Sequence, residues 1–288
     1  MLVLFLINLI LGLNSNPIVL SNPQPTAEVN FSNTEPVSLG IKTSASSVIV
    51  VDTKNKQILF GKQEYEKKPI ASISKLMAAV VFLEHNPGWD SIVEIQGDDE
   101  VGGARLSLSP GESLIVKDLF NASLVASTNN GIMALARSTG LSQDEFVKIM
   151  NQKAKELKMR QTNFVEPTGM NPQNVSTAYD LSLLIAEAFK KPEIMEAVKF
   201  PAYSFQTQEG RDLRVINTDI LLDSFLNSNG YEIVGAKTGF LPESGYCLAT
   251  QIKKADREII TVVLDSATIN DRFLDTKGLA FWAFNKMK

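Results

Sequence analysis

The chain opens on an apolar run, Leu2 to Leu13, interrupted only by Asn8 and Gly12. That length falls short of a comfortable bilayer span but matches the apolar stretch of an export signal. No basic residue precedes it and no convincing small-x-small cleavage site follows, so residues 1–13 are expected to act as a signal or an uncleaved anchor. Residues 14–45, rich in Asn, Pro, Ser and Thr and without sustained period, predict a linker. Residues 46–288 are expected to form the folded domain.

Within that domain the periodicity changes several times. Ser47-Val48-Ile49-Val50-Val51-Asp52, a polar turn, then Ile58-Leu59-Phe60 predict a hairpin. Pro69 leads into a helix that is apolar nearly all round from Leu76 to Leu83, which predicts central burial. After Asn86-Pro87-Gly88 comes an irregular segment holding Gly102-Gly103 and Ser109-Pro110-Gly111. Helical stretches follow over Val116–Ala126, Gly131–Arg137, Ser142–Leu157, Tyr179–Phe189 and Pro192–Val198, with a loop from Phe164 to Asn174 among them. The rest reads mostly as strand, notably Glu232–Ala236, Tyr246–Ile252 and Glu258–Leu264, before a closing helix over Arg272–Phe284.

Composition narrows the chemistry. A chain of 288 residues suits one large domain or two small ones. A net charge of −4 argues against a nucleic-acid surface, and no glycine-rich phosphate loop is present. The single cysteine, Cys247, forbids an intramolecular disulfide and reads as a buried apolar thiol. The single histidine, His85, removes Cys/His zinc sites and the H-E-x-x-H metalloprotease site. It also cannot serve Ser72 as a base, since a helix would separate the two by roughly 20 Å. No metal or cofactor is expected.

Ser72 and Lys75 stand three residues apart at a helix start, where side chains share a face. A neutral lysine there can activate a serine nucleophile. On these residues alone a capping serine and a solvated first-turn lysine explain the pattern at least as well. Two further motifs change the balance, because Ser72-x-x-Lys75, Ser127-x-Asn129 and Lys237-Thr238-Gly239 each occur once, in that order.

This ordered trio resembles the penicillin-recognising serine acyltransferases, the D-alanyl-D-alanine peptidases and serine β-lactamases. The stretches Ala71–Met77, Thr162–Met170, Ser176–Leu181, Lys237–Ala249 and Asp271–Leu279 narrow the resemblance to the low-molecular-mass D-alanyl-D-alanine carboxypeptidases. It covers about residue 46 to the C-terminus. The resemblance implies an α+β fold, a helical cluster packed on a five-stranded antiparallel sheet with the site at their junction. It implies that Ser72 attacks the carbonyl between two D-alanines of a peptidoglycan stem peptide while Lys75, made neutral by burial beside Lys237, takes the proton. Ser127 would pass a proton to the leaving D-alanine, and Asn129 would hold the substrate amide and Lys75. Lys237, Thr238 and Arg272 would face the terminal carboxylate. Arg272 reads equally well as a surface helix-start residue. Gly239 would let the strand backbone approach the ligand closely, and the backbone N–H groups of Ser72 and Phe240 would form the oxyanion hole. β-Lactams are the inhibitors implied, and the location implied is extracytoplasmic, with any membrane attachment N-terminal.

Departures from the family pattern are local. Ser127-Thr128-Asn129-Asn130 replaces the usual Ser-Gly-Asn-Asp, and Asp219 stands where asparagine is usual. Two rivals remain at this stage. One is a β-lactamase, for which Glu166-Pro167 superficially supplies a deacylation base although the frame fits carboxypeptidases better. The other is a secreted binding protein that keeps the fold without catalysis. Carboxypeptidase and endopeptidase use the same nucleophile and are not separated by sequence.

Overall fold

The structure is a computed structural model that describes residues 40–286. The expected signal or anchor segment and most of the linker lie outside the described residues. Seven of its strands and seven α-helices frame the core and the site. The strands are β1 Ser47–Asp52, β2 Ile58–Lys62, β3 Ala202–Gln206, β4 Asp212–Ile216, β5 Tyr231–Leu241, β6 Gly245–Lys254 and β7 Arg257–Ser266. The helices are α1 Ser74–Glu84, α2 Val116–Val125, α3 Asn129–Ser138, α4 Gln143–Glu156, α5 Ala178–Ala188, α6 Pro192–Lys199 and α7 Asp271–Lys286.

Five strands form one antiparallel sheet in the order β2-β1-β7-β6-β5, so β5 is an edge strand. Strand alternation divides the core between its two faces. Val48 and Val50 pack with Phe273, Leu279 and Ala283 of α7, while Ile49 and Val51 pack with α1 and α5 on the other side. The fold is thus the expected helical cluster on a five-stranded antiparallel sheet, with α7 covering the second face. Helix α1 is buried along its length from Ser74 to Phe82, as its all-round apolar sequence predicts.

Two features position the site. The segment ahead of α1 is a single 3-10 turn, Ala71–Ile73, that runs into the α-helix at Ser74. Ser72 therefore precedes the α-helix proper. A 3-10 turn eclipses side chains at i and i+3, so Ser72 and Lys75 still meet. The other feature is the hairpin β3–β4, whose tip holds the irregular segment through Arg211, which pairs with Glu112 at 2.7 Å and donates to the Ser107 carbonyl at 2.5 Å. The chain enters the domain through Ser44 and Ala45, whose N–H groups donate to the Asp275 carboxylate at 3.1 and 2.9 Å.

Candidate active site

Where α1, the α2–α3 junction and the edge strand β5 converge, a cleft of about 410 Å³ opens. Ser72, Ser127, Asn129, Thr238, Gly239, Phe240 and Arg272 line it, and Lys75 and Lys237 are buried beneath its floor. All nine residues singled out from the sequence are thereby brought together. A larger hollow of about 710 Å³ lies between Asp52, Arg257 and Trp282, and none of the nine touches it.

Lys75 Nζ has three close neighbours: Ser72 Oγ at 2.7 Å, Asn129 Oδ1 at 2.7 Å and the Thr168 carbonyl at 2.6 Å. Two of these oxygens can only accept, whereas the serine hydroxyl can also donate. A neutral amine has two N–H groups and one lone pair. It satisfies this set by donating to Asn129 and Thr168 and turning its lone pair on the Ser72 proton. Burial lowers the Lys75 pKa to about 7, against an opposing pull from the Glu166 carboxylate. Desolvation is therefore the cause of the lowering, the burial part of what the resemblance implied, and repulsion between the two lysines does not contribute at Lys75. That repulsion is felt at Lys237, whose pKa is pushed well below the usual lysine value by burial first, then by Lys75 and Arg272, with Asp219 opposing. Two buried ammonium groups in one site disfavour the doubly charged state.

Lys237 Nζ donates to Ser127 Oγ at 2.6 Å and to its neighbour's carbonyl, Thr238 O, at 3.0 Å. Ser127 occupies the link between α2 and α3 with φ of +56°, and Ala71, directly before the nucleophile candidate, has φ of +47°. Both are left-handed conformations that cost a non-glycine residue roughly 1–2 kcal/mol, and both flank the cleft. Gly239 brings β5 against the nucleophile turn, a close approach other than the one to a ligand that the resemblance implied. A Cβ there would lie 3.0 Å from the Ile70 carbonyl and 3.2 Å from Ser72 N, so only glycine lets β5 run this close to the turn. Phe240 is half exposed and stacks on Tyr246 with ring centroids 4.3 Å apart.

Three residues differ from expectation in detail. Asn129 uses both ends of its amide, accepting from Lys75 and donating from Nδ2 to Gly102 O at 2.7 Å, so a substrate amide would have to compete with that carbonyl. Arg272 is 6% exposed and donates from Nη1 to Gly239 O at 3.1 Å, which removes the surface reading. Thr238 Oγ1 lies 2.6 Å from Thr218 Oγ1, a cleft residue that carries no motif and was not foreseen.

The unusual Thr128 and Asn130 are accommodated locally. Thr128 has an extended backbone, φ −81° and ψ 141°, which suits a β-branched residue. Asn130 accepts from Leu106 N at 2.8 Å and donates to Leu106 O at 3.1 Å, a two-way pairing that an aspartate cannot make.

Comparison with known proteins gives the same direction. The D-alanyl-D-alanine carboxypeptidase family model matches residues 30–268. The D-alanyl-D-alanine carboxypeptidase DacF of Bacillus subtilis is 30% identical over 251 residues, covering 84% of this chain and 62% of its own length. The D-alanyl-D-alanine endopeptidase of Pseudomonas aeruginosa is 29% identical over 282 residues, covering 97% of this chain and 87% of its own length. Among solved structures, the Streptomyces K15 DD-transpeptidase has a TM-score of 0.79 at 26% identity over 85% of this chain and 98% of that one. Penicillin-binding protein D2 of Listeria monocytogenes, in its cefotaxime-bound form, has a TM-score of 0.73 at 31% identity over 85% and 99%. The chain thus spans less than two thirds of the Bacillus relative but most of the Pseudomonas one. On the strength of the family match, it belongs to the D-alanyl-D-alanine carboxypeptidase family.

Proposed function

We propose that this protein is a serine D-alanyl-D-alanine carboxypeptidase that removes the terminal D-alanine of peptidoglycan stem peptides through an acyl-enzyme on Ser72. The observation that carries the reading is the arrangement at Lys75, a buried amine with two acceptor-only partners and the Ser72 hydroxyl on its remaining side. Ser72 Oγ attacks the carbonyl carbon between the two D-alanines, and its proton passes to Lys75. The oxyanion forms beside the backbone N–H groups of Ser72 and Phe240. As the C–N bond breaks, the proton held by Lys75 is relayed through the Ser127 hydroxyl to the departing amine, which returns Lys75 to its neutral form and Ser127 to its hydroxyl, with Lys237 holding that hydroxyl in place. Arg272 and Thr238 face the end of the substrate that carries the carboxylate. Water then hydrolyses the ester and regenerates Ser72.

Glu166 weighs against the β-lactamase reading. Both its oxygens are occupied by donors, among them Thr168 N and Gly169 N at 2.6 Å each, so it has no free oxygen with which to activate a water. A β-lactam is expected to acylate Ser72 and stay attached. The intact Ser-Lys-Ser-Lys set weighs against a non-catalytic binding protein. The substrate class supports an extracytoplasmic location, and we read residues 1–13 as signal or N-terminal anchor, residues 14–45 as linker and residues 46–288 as the working domain. Among the described residues no helix is long and apolar enough to cross a membrane.

An endopeptidase is the second reading, favoured by the near full-length match to a relative of that name. The test of the main reading is the intact mass of the protein after exposure to benzylpenicillin, with Ser72→Ala as control, followed by assay of D-alanine release from a D-Ala-D-Ala peptide. A lasting one-to-one adduct lost in Ser72→Ala, with D-alanine released, is the expected outcome. Rapid penicillin hydrolysis without an adduct would shift the reading to β-lactamase. Release of monomers from a cross-linked dimer, without D-alanine release, would favour the endopeptidase.

A further inference from the structure

Glu166 does more in this fold than close its own loop. Its Oε2 accepts from Thr168 N and Thr168 Oγ1, both at 2.6 Å. Its Oε1 accepts from Gly169 N at 2.6 Å, Asn171 N at 3.3 Å and Asn174 Nδ2 at 3.0 Å. All five partners donate, which suits a carboxylate, an acceptor-only group.

The residues so gathered then touch the Ser72–Lys75 segment at three points. The Thr168 carbonyl accepts from Lys75 Nζ at 2.6 Å. Gly169, at φ +85°, lies against the Ala71 carbonyl with no room for a Cβ. Asn174 donates from Nδ2 to Ser74 Oγ at 3.1 Å and accepts at its carbonyl from Ile70 N at 3.1 Å. A loop organised by one carboxylate therefore grips the nucleophile turn from Ile70 to Lys75.

We propose that Glu166 is the positioning residue of the general base: its carboxylate presents the Thr168 carbonyl to Lys75 and sets a negative charge facing that amine across the loop. This rests on the reading of Ser72 and Lys75 as nucleophile and base. The charge that acts on Lys75 is Glu166 on the loop, while Lys237 on β5, the neighbouring cation, is itself repelled by Lys75 and by Arg272 of α7. Burial drives the Lys75 amine toward neutrality, and Glu166 limits how far that goes. A lysine that is neutral at working pH yet remains a strong base is what proton abstraction from a serine needs.

Two variants separate charge from geometry. Glu166→Gln removes the charge and places an NH2 group among donors. Glu166→Asp keeps the charge but cannot reach all five donors. The readout is the second-order rate of acylation by a chromogenic cephalosporin as a function of pH. For Glu166→Gln the acidic limb of the profile should move to lower pH by about one unit, with a plateau about 10-fold lower. For Glu166→Asp the plateau should fall while the limb stays in place. The same limb in wild type and both variants would overturn the charge role, because a purely structural residue changes the plateau alone. Unchanged plateaus in both would overturn the positioning role. Should Glu166→Gln fail to fold, as judged by circular dichroism, Glu166→Ala takes its place on the same readouts: a limb moved to lower pH with a lowered plateau supports the proposal, and an unmoved limb or an unchanged plateau overturns it. A folded wild type that takes no acyl group at all would instead overturn the reading of Ser72 and Lys75.

Discussion

Lys237 Nζ and the Ser127 hydroxyl lie 2.6 Å apart, a bond that fastens the α2–α3 link to the edge strand β5. The residue fastened is held at φ +56°, so its strain and its hydrogen bond belong to the same position. Ser127→Ala and Ser127→Gly both delete the hydroxyl, and each should lower turnover of a D-Ala-D-Ala peptide by about 10²–10⁴-fold. They should differ in stability. Glycine accepts the left-handed backbone freely, so Ser127→Gly is expected to be more stable than Ser127→Ala by about 1 kcal/mol. Denaturant unfolding of the two variants, compared with each other, checks this. Equal stabilities would show that the backbone at 127 is not strained.

Gly239 brings β5 against the nucleophile turn, and a methyl group there would meet Ile70 O at 3.0 Å and Ala71 Cβ at 3.1 Å. Neither neighbour is the far end of a flexible side chain, so the strand and the turn must part. Gly239→Ala is expected to lose about 1–3 kcal/mol of stability. Displacing Ser72 from its partners by a fraction of an ångström up to 1 Å should slow acylation by about 10²-fold. Stopped-flow acylation alongside thermal unfolding measures both. A variant that acylates at the wild-type rate would mean that the close approach of β5 is not needed for the reaction.

Much of this arrangement was legible before any coordinates, for reasons that can be traced to particular residues. Val48 and Val50 alternate with Ile49 and Val51 because the strand has a core on each face, and α1 is apolar all round because it is enclosed. The motif residues are side chains whose chemistry is unusual together, so sequence order exposes them. Other parts were hidden. The Thr168 carbonyl that receives Lys75 is a backbone atom and carries no residue identity. Strands β3 and β4 lie in the stretch read only as mostly strand, and their bounds are not marked because they bury little, with Ile216 71% exposed. Helix α3 begins at Asn129, two residues before the predicted start, because Asn130 and Gly131 resemble a break although Asn130 is pinned to Leu106.

The Lys75 amine, brought to about 7 by burial, must be neutral to take the Ser72 proton. Its folded pKa lies below the usual lysine value, so the competent form is gained as pH rises. Acylation by a β-lactam should therefore climb tenfold per unit on the acidic side and level off above about pH 7. Lys75→Arg keeps a positive charge that is not lost at any accessible pH. It should abolish acylation throughout, by about 10³-fold or more. A Lys75→Arg protein that acylates at high pH would assign the base to another group.

Asp219 supplies a pH effect of opposite sign and on stability, not rate. It is 3% exposed, one of its oxygens accepts from Leu221 N at 3.0 Å, and the other has no partner. Burial raises its pKa to about 6, against the pull of Arg272 and Lys237. Because the folded value lies above the unfolded one, its proton stabilises the fold fully at low pH, and that contribution is lost as pH rises through about 6. A shift of roughly two units corresponds to on the order of 3 kcal/mol. Asp219→Asn keeps the shape and the Leu221 bond but does not titrate. The stability of Asp219→Asn relative to wild type should therefore increase by up to that amount between about pH 4 and about pH 7. Urea unfolding at the two pH values measures the change, and a difference that stays constant would mean that Asp219 titrates in the fold as it does in the open chain.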